Sequence, residues 1–189
     1  MQIWVGLGNP GAQYAMHRHN VGFMAADIIA EMHGFGRWTK KFRSLITEGR
    51  IGGQKILLVK PQTYMNDSGD AVQQALRFHK LDVDSLTVFH DELDLAPMKV
   101  KVRTGGGLAG HNGLRSINAS LGPDFRRVRI GIGHPGNKAL VTNYVLGNYA
   151  KSEIEALSDM LGAISAEAEW LAQGDDVRFM SDVAMRQQQ

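Results

Sequence analysis

The side chains best suited to acid–base chemistry follow short apolar runs of the sequence. His19 lies between the apolar residues 3–7 and a helical pattern, and His90 and Asp91 follow the apolar residues 86–89. A histidine near the positive end of a helix favours the neutral form that acts as a general base, and a nearby carboxylate can orient its ring. We therefore predict that His19 is a base and that Asp91 orients it, with a loop histidine of no catalytic role as the alternative.

Three asparagines lie in separate predicted loops. Asn9 follows the first apolar run, and Asn66 lies in a polar stretch. Asn112 follows His111 in a glycine-rich stretch. An amide at a turn usually caps the backbone, but as a set these three could bind carbonyl groups or stabilise an oxyanion.

The available nucleophiles are restricted. The chain has no cysteine, no G-x-S-x-G elbow and no S-x-x-K motif, so a water molecule is the simplest nucleophile. A metal site remains an alternative because several residues are of the right type, although H-E-x-x-H is absent. These residues are His17, His19, His90, Asp91, Asp94 and His111. The motif G-x-G-x-x-G occurs three times but never leads directly from a strand into a helix, so no nucleotide cofactor is expected.

Length and composition are those of an ordinary globular protein. With 189 residues, 43% hydrophobic and 21% charged, the chain is expected to form one domain over residues 1–189. The N-terminal sequence has no basic leader with a long apolar segment, and no run of about 18 apolar residues occurs. Together with the lack of cysteine, this predicts a soluble, cytoplasmic protein with no membrane partner.

Charge is unevenly distributed along the chain. Residues 151–189 carry three Lys or Arg and eight Asp or Glu, although the whole chain has a net charge of +2, so the first 150 residues are basic. The basic residues form three groups: Arg37, Lys40, Lys41 and Arg43; Lys99, Lys101 and Arg103; and Arg126, Arg127 and Arg129. These groups fit either a polyanion-binding face or solvated strand faces.

The hydrophobic pattern alternates between strands and helices. Strands are predicted at residues 3–7, 44–50, 55–59, 86–89, 98–102 and 127–132, with a hairpin turn at Gly52 and Gly53. Helices are predicted at residues 21–32, 71–78, 114–121 and 152–171, the first with Asn20 as its N-cap and Gly34 as its stop, and residues 61–68 are a predicted loop. This alternation predicts an α/β fold, in which ligand sites lie at strand ends.

Five segments occur in an order and spacing typical of one family. They are GLGNPGAQYAMHRHNVGF, KPQTYMNDSG, HDELDL, GGGLAGHNGLRSI and RIGIGHPG, spanning residues 6–136 and continuing into YVLG at residues 144–147. Together they resemble the bacterial-type peptidyl-tRNA hydrolases, and only the C-terminal helices match loosely. The resemblance implies a single α/β domain of phosphorylase/hydrolase-like type, with a mixed, largely parallel central sheet flanked by helices.

The resemblance also implies a role for each matched residue. His19 would activate water against the ester between the peptide and the terminal ribose, and Asp91 would hold the basic form of His19. Asn9 would help to distinguish N-blocked peptidyl-tRNA from free aminoacyl-tRNA. The implied binding residues are Tyr14, Tyr64, Asn66, His111 and Asn112 at the site, with Asn66 and His111 close to the peptide, and Arg103, Arg129 and Lys138 facing tRNA phosphate.

The implied partner is peptidyl-tRNA, and the implied task is the recycling of tRNA from aborted translation without metal or cofactor. Three positions depart from the usual family pattern: Ala109 replaces glycine, His17 a frequent threonine and Arg103 a common lysine. None of these changes removes a catalytic group, but His17 leaves the pH profile open. A monomer is the default expectation, and a non-catalytic RNA-binding module and a metal hydrolase remain the alternatives.

Overall fold

The apolar runs of the sequence form the central strands of one mixed sheet, with helices on both faces. The computed structural model describes residues 1–189. The strands are β1 (Gln2–Gly6), β2 (Thr39–Lys41), β3 (Ser44–Ile51), β4 (Gln54–Pro61), β5 (Leu86–Glu92), β6 (Val100–Thr104) and β7 (Arg126–Gly131). The α-helices are α1 (Val21–Met32), α2 (Ser68–His79), α3 (Asn112–Leu121), α4 (Val141–Val145), α5 (Ile154–Ala166), α6 (Ala168–Ala172) and α7 (Asp176–Gln187).

The strand order across the sheet is β2-β3-β4-β1-β5-β7-β6. The central strands β4, β1, β5 and β7 are parallel neighbours. The outer pairs are antiparallel, and because β2 is reversed twice relative to β4, five of the seven strands point in one direction. The predicted α/β class with a mixed, largely parallel sheet is confirmed.

Alternate residues of the central strands enter two separate cores. Trp4 packs on one face with α1, α5, α6 and α7, whereas Ile3 and Val5 pack on the other face with α2 and α3. A parallel strand covered on both faces needs apolar side chains on both sides. This explains the continuous apolar run of the first strand.

Three elements, two of which carry candidate site residues, are longer than predicted. β5 continues through His90 and Asp91, because β7 pairs alongside and places Asp91 opposite Ile130. α3 begins at Asn112 rather than at residue 114, and α2 begins at Ser68 rather than at residue 71. Asp91 and Asn112 therefore lie on regular elements, not in the loops that the sequence predicted.

The C-terminal part of the chain departs most from the sequence prediction. The single helix expected at residues 152–171 is interrupted at Glu167, whose φ of −101° and ψ of 9° separate α5 from α6. β2, α4 and α7 were not predicted, and β2 has no apolar signal because all three of its residues are exposed. None of the helices combines the length and apolar character needed to cross a bilayer.

The carboxyl ends of the parallel strands meet at one edge of the sheet. Asn9 and His19 follow β1 at this edge, and Asp91 lies near the end of the adjacent strand β5. Open α/β sheets place ligand sites at such an edge. The fold thus brings together residues that are far apart in the sequence.

Candidate active site

A cleft of about 710 Å³ opens at this edge of the sheet. Seven of the predicted site residues line it: Asn9, His19, Tyr64, Asn66, Asp91, His111 and Asn112. The other four predicted residues, Tyr14, Arg103, Arg129 and Lys138, are not among its lining residues. The opposite wall includes Val141, Thr142, Val145 and Leu146 of α4 and the residue after it.

His19 and Asp91 form a buried hydrogen-bonded pair at the floor of the cleft. His19 lies in a 3-10 turn, Arg18–Asn20, directly before α1, and its Nδ1 is 2.8 Å from Oδ2 of Asp91. Burial lowers the pKa of His19, but the charge and hydrogen bond of Asp91 raise it by more, so the pKa lies above the ordinary value of 6.5. With Nδ1 donating to the carboxylate, Nε2 of His19 is left to accept a proton.

His111 forms a hydrogen bond with the other carboxylate oxygen of Asp91. Its Nε2 is 2.8 Å from Oδ1 of Asp91, and its Nδ1 accepts from the backbone N–H groups of Gly113 and Leu114 at 3.0 and 3.2 Å. An imidazole nitrogen that accepts two N–H donors must carry the lone pair, so the network assigns the proton to Nε2. His111 thus caps α3 and donates a hydrogen bond to Asp91 in its neutral form.

The two histidines keep Asp91 ionised. Burial on its own raises the pKa of this carboxyl, but the attraction and hydrogen bonds of His19 and His111 hold it well below 3.8. His90 beside it is buried, and burial lowers its pKa to about 3, so it stays neutral. Its Nδ1 lies 2.8 Å from the backbone oxygen of Asp91, to which it donates.

The predicted metal-ligand set assembles only in part. Of its six residues, His19, Asp91 and His111 bring candidate ligand atoms within 4.8 Å of one another. Those atoms are already joined by ring N–H to carboxylate hydrogen bonds. The arrangement is that of a charged carboxylate held between two imidazoles.

Asn9 is oriented by Asn20, for which the sequence predicted a different role. Asn20 was predicted to cap α1, but its side chain instead accepts from the Asn9 N–H and donates to the Asn9 carbonyl, both at 2.9 Å. The Asn9 Oδ1 accepts from the backbone N–H of Met65 at 3.1 Å. The amide NH2 of Asn9 is therefore the end that remains to meet a ligand.

The other amides lie on two different elements around the cleft. Asn66 is exposed in the 3-10 turn Met65–Asp67, and Asn112 is the exposed first residue of α3. Tyr64, which is 72% exposed, precedes that turn. These side chains offer hydrogen-bond donors and an aromatic ring at the mouth of the cleft.

The clusters of Lys and Arg noted in the sequence do not all contribute to an exposed basic face. Arg127 is fully buried, and Arg126 donates to Asp176 at 2.9 Å, so neither is displayed to solvent as the clustering suggested. Arg103 is exposed, and Arg129 is partly exposed. Burial and the charge of Arg103 lower the pKa of Arg129, which indicates that the two cations lie close together.

Arg18 links the turn that carries His19 to α4, and the sequence analysis did not identify it as a site residue. Its guanidinium lies 4.3 Å over the Tyr144 ring and donates to the Tyr144 carbonyl at 3.3 Å and to Glu153 at 3.2 Å. Arg18 and Tyr144 both lie in segments that match the family, but no local pattern shows that the two side chains are in contact.

A buried His–Asp pair in an amide-lined cleft of an α/β domain is an arrangement that hydrolases use for general-base chemistry. The family model described as peptidyl-tRNA hydrolase matches residues 3–189, and the chain belongs to that family. It is 67% identical to the peptidyl-tRNA hydrolase of Rhizorhabdus wittichii over 98% of both chains. It is also 67% identical to that of Sphingopyxis alaskensis over 100% of both chains. The crystal structure of the Acinetobacter baumannii peptidyl-tRNA hydrolase superposes with a TM-score of 0.88 at 39% identity, covering 97% of this chain and 94% of that one.

Proposed function

We propose that this chain hydrolyses the ester between peptide and tRNA with His19 as the general base. The observation that carries the proposal is the 2.8 Å hydrogen bond from His19 Nδ1 to the ionised Asp91, which leaves Nε2 as the basic atom in the cleft. Family membership supports the same reaction. Residues 1–189 would act as a single catalytic domain.

In the proposed reaction, water attacks the ester carbonyl carbon while Nε2 of His19 takes a proton from it. The negative charge that develops on the carbonyl oxygen is stabilised by amide N–H donors, of which Asn112 and Asn9 are the candidates. Collapse of the tetrahedral intermediate breaks the bond to the ribose oxygen, which receives the proton from His19. A positioned base contributes about 10²- to 10⁴-fold, which suits an ester that is already activated.

Recognition is assigned to the groups around this centre. Asn9 would sense the blocked amino group of the substrate, because its amide is fixed with the NH2 end available. Asn66 and His111 would lie near the peptide, with Tyr64 and Tyr14 lining the approach. Arg103, Arg129 and Lys138 would bind phosphates without reading base sequence, which would let one enzyme accept many tRNAs.

A hydrolysis assay tests this function against its alternatives. We expect the protein to act in the cytoplasm as a monomer and to release peptide from N-blocked aminoacyl-tRNA. In vitro, the rate of this hydrolysis should be unchanged by exhaustive treatment with a chelator. A metal hydrolase would lose activity on chelation and regain it with added metal. An RNA-binding module would bind tRNA and leave the ester intact.

A further inference from the structure

Arg127 on β7 carries a guanidinium but has no exposed surface. Its Nη1 donates to the carbonyls of Gly107 at 2.7 Å and Gly106 at 3.2 Å, and its Nη2 donates to the Pro123 carbonyl at 3.0 Å. The guanidinium also lies 4.4 Å over the ring of Phe125. A guanidinium stays charged, so its burial is costly unless its N–H donors are paired. Both terminal nitrogens of Arg127 are paired in this way, whereas its Nε has no partner.

The carbonyls that Arg127 binds belong mainly to the glycine-rich loop at residues 105–110. This loop lies outside regular secondary structure, and four of its residues have positive φ angles between 48° and 97°. Two backbone hydrogen bonds involve this loop, from Gly105 N to Phe125 O at 3.1 Å and from His111 N to Leu108 O at 2.8 Å, and neither involves Gly106 or Gly107. The side chain of Arg127 therefore supplies the hydrogen bonds to Gly106 and Gly107, while Leu108 packs against the core on the α2 and α3 face.

The same loop delivers residues to the cleft. Ala109 and Gly110 line the cleft, and the next residue is His111, which donates to Asp91. Asn112 follows as the first residue of α3. A displacement of the loop would move His111 relative to Asp91, and a misplacement of about 1 Å can cost 10²-fold in rate.

We propose that Arg127 is a positioning residue: through its contacts with the glycine-rich loop it holds His111 and Asn112 in place for the proposed hydrolysis. Arg103 lies opposite Arg127 in the β6–β7 register, and its guanidinium packs on Gly106 so closely that a Cβ there would displace it. The loop is thus held from beneath by Arg127 and from the solvent side by Arg103. Ligands that engage Arg103 would act on the same loop.

Two variants with a matched control test the proposal, which rests on the proposed function. For R127M we expect kcat to fall about 10- to 100-fold, with KM changed less than about threefold because the phosphate-facing cations remain. Loss of the His111 hydrogen bond would leave the charge of Asp91 less dispersed, so the pKa of His19 would rise and the acid limb of the pH profile would shift upward. R127K keeps the charge without the planar fork and should fall between R127M and the wild type.

The control is R126M on the same strand. Arg126 donates to Thr87 Oγ1, the Leu171 carbonyl and Asp176, all at 2.9 Å and away from the loop. R126M should lose stability, yet keep kcat and the acid limb of the wild type. A purely structural role for Arg127 predicts that the two methionine variants behave alike, and that result would overturn the proposal.

A readout without substrate separates this proposal from the proposed function. In ¹⁵N NMR spectra, His111 of the wild type should show the neutral Nε2–H tautomer, and R127M should lose that signature while R126M retains it. If the wild type fails to hydrolyse N-blocked aminoacyl-tRNA, the proposed function fails but this measurement still decides the position of His111. If R127M does not fold, the same two readouts on R127K decide, and wild-type values for R127K would contradict the proposal.

Discussion

At the scale of single residues, His19 and Asp91 depend on each other's charge. The buried carboxylate is stabilised by ring N–H donors, and the imidazole is made more basic by the carboxylate. Removal of one member of a buried pair leaves the other without compensation, which typically costs about 3–5 kcal/mol. Variants that keep the shape of the side chain are therefore the more informative ones.

Substitution H19A should nearly abolish turnover while tRNA binding persists. The base acts in the chemical step, and its loss should lower kcat by about 10²- to 10⁴-fold. Single-turnover hydrolysis and a tRNA binding titration measure the two effects separately. A variant with near-normal hydrolysis would remove His19 from the mechanism.

The pH dependence follows from the direction of the His19 pKa shift. Because its pKa is raised above 6.5, kcat/KM should increase with pH through a midpoint above that value as His19 loses its proton. Burial and the charge of His19 lower the pKa of His17, so His17 should carry less charge in this range than an ordinary histidine. In D91N the midpoint should shift down, with a smaller loss of kcat than in H19A; an unmoved midpoint would contradict the assigned pair.

The same shift links the pair to stability. A histidine whose pKa is higher in the folded state stabilises the fold fully below its unfolded value of about 6.5, and this contribution is lost as pH rises through the folded pKa. The depressed pKa of Asp91 acts in the opposite sense, with a contribution that is lost on acidification. The pair therefore stabilises the fold most in the pH range between the folded-state pKa of Asp91 and that of His19.

At the scale of elements, one histidine joins α3 to β5. His111 caps the N-terminus of α3 through Nδ1 and reaches Asp91 through Nε2. A good N-cap contributes about 0.5–2 kcal/mol. The same side chain therefore makes one contact that caps a helix and one with the carboxylate paired to His19, and substitution can separate the two.

Two substitutions at this position separate the contacts. H111A should lower both the free energy of unfolding, by about 1–3 kcal/mol, and kcat, because the cap and the donor to Asp91 are both lost. H111N should recover most of the stability, since asparagine is a good N-cap, but not kcat, since its side chain is too short for both partners. Urea unfolding and turnover would measure the two; full activity in H111N would mean that the bond to Asp91 is dispensable.

At the scale of the whole molecule, the charge is segregated. The acidic residues 151–189 form α5, α6 and α7, which pack on one face of the sheet, whereas Arg103 lies on the edge strand β6 and Arg129 on the neighbouring strand β7. Separation of acidic and basic surfaces directs a polyanion toward one side of the protein. The affinity for tRNA should therefore fall as salt rises.

The salt dependence can be assigned to individual cations. Replacing Lys138 by alanine should reduce the slope of log Kd against log salt by about 0.7–0.9, the change expected for one phosphate contact, without lowering kcat. The matched control is K55A, because Lys55 lies at the amino end of β4, at the opposite edge of the sheet from the cleft. Equal slopes for K138A and the wild type would remove Lys138 from the phosphate contacts.

Local patterns determined much of this protein. The apolar runs predicted the central strands, because strands covered on both faces are mostly apolar, and residues 21–32 form a helix with the predicted bounds. The ordered motifs indicated the family and included seven of the residues that line the cleft. Short elements without an apolar signal, such as β2, were missed for the same physical reason.

Only the tertiary structure decided which polar groups meet. His19 and His111 reach Asp91 across 72 and 20 positions of sequence, and Asn20 turns to Asn9 instead of capping its helix. Arg127 reads as a surface cation in the sequence but is buried beneath a loop. Burial and hydrogen-bond geometry depend on distant segments that pack together, so no local pattern carries them.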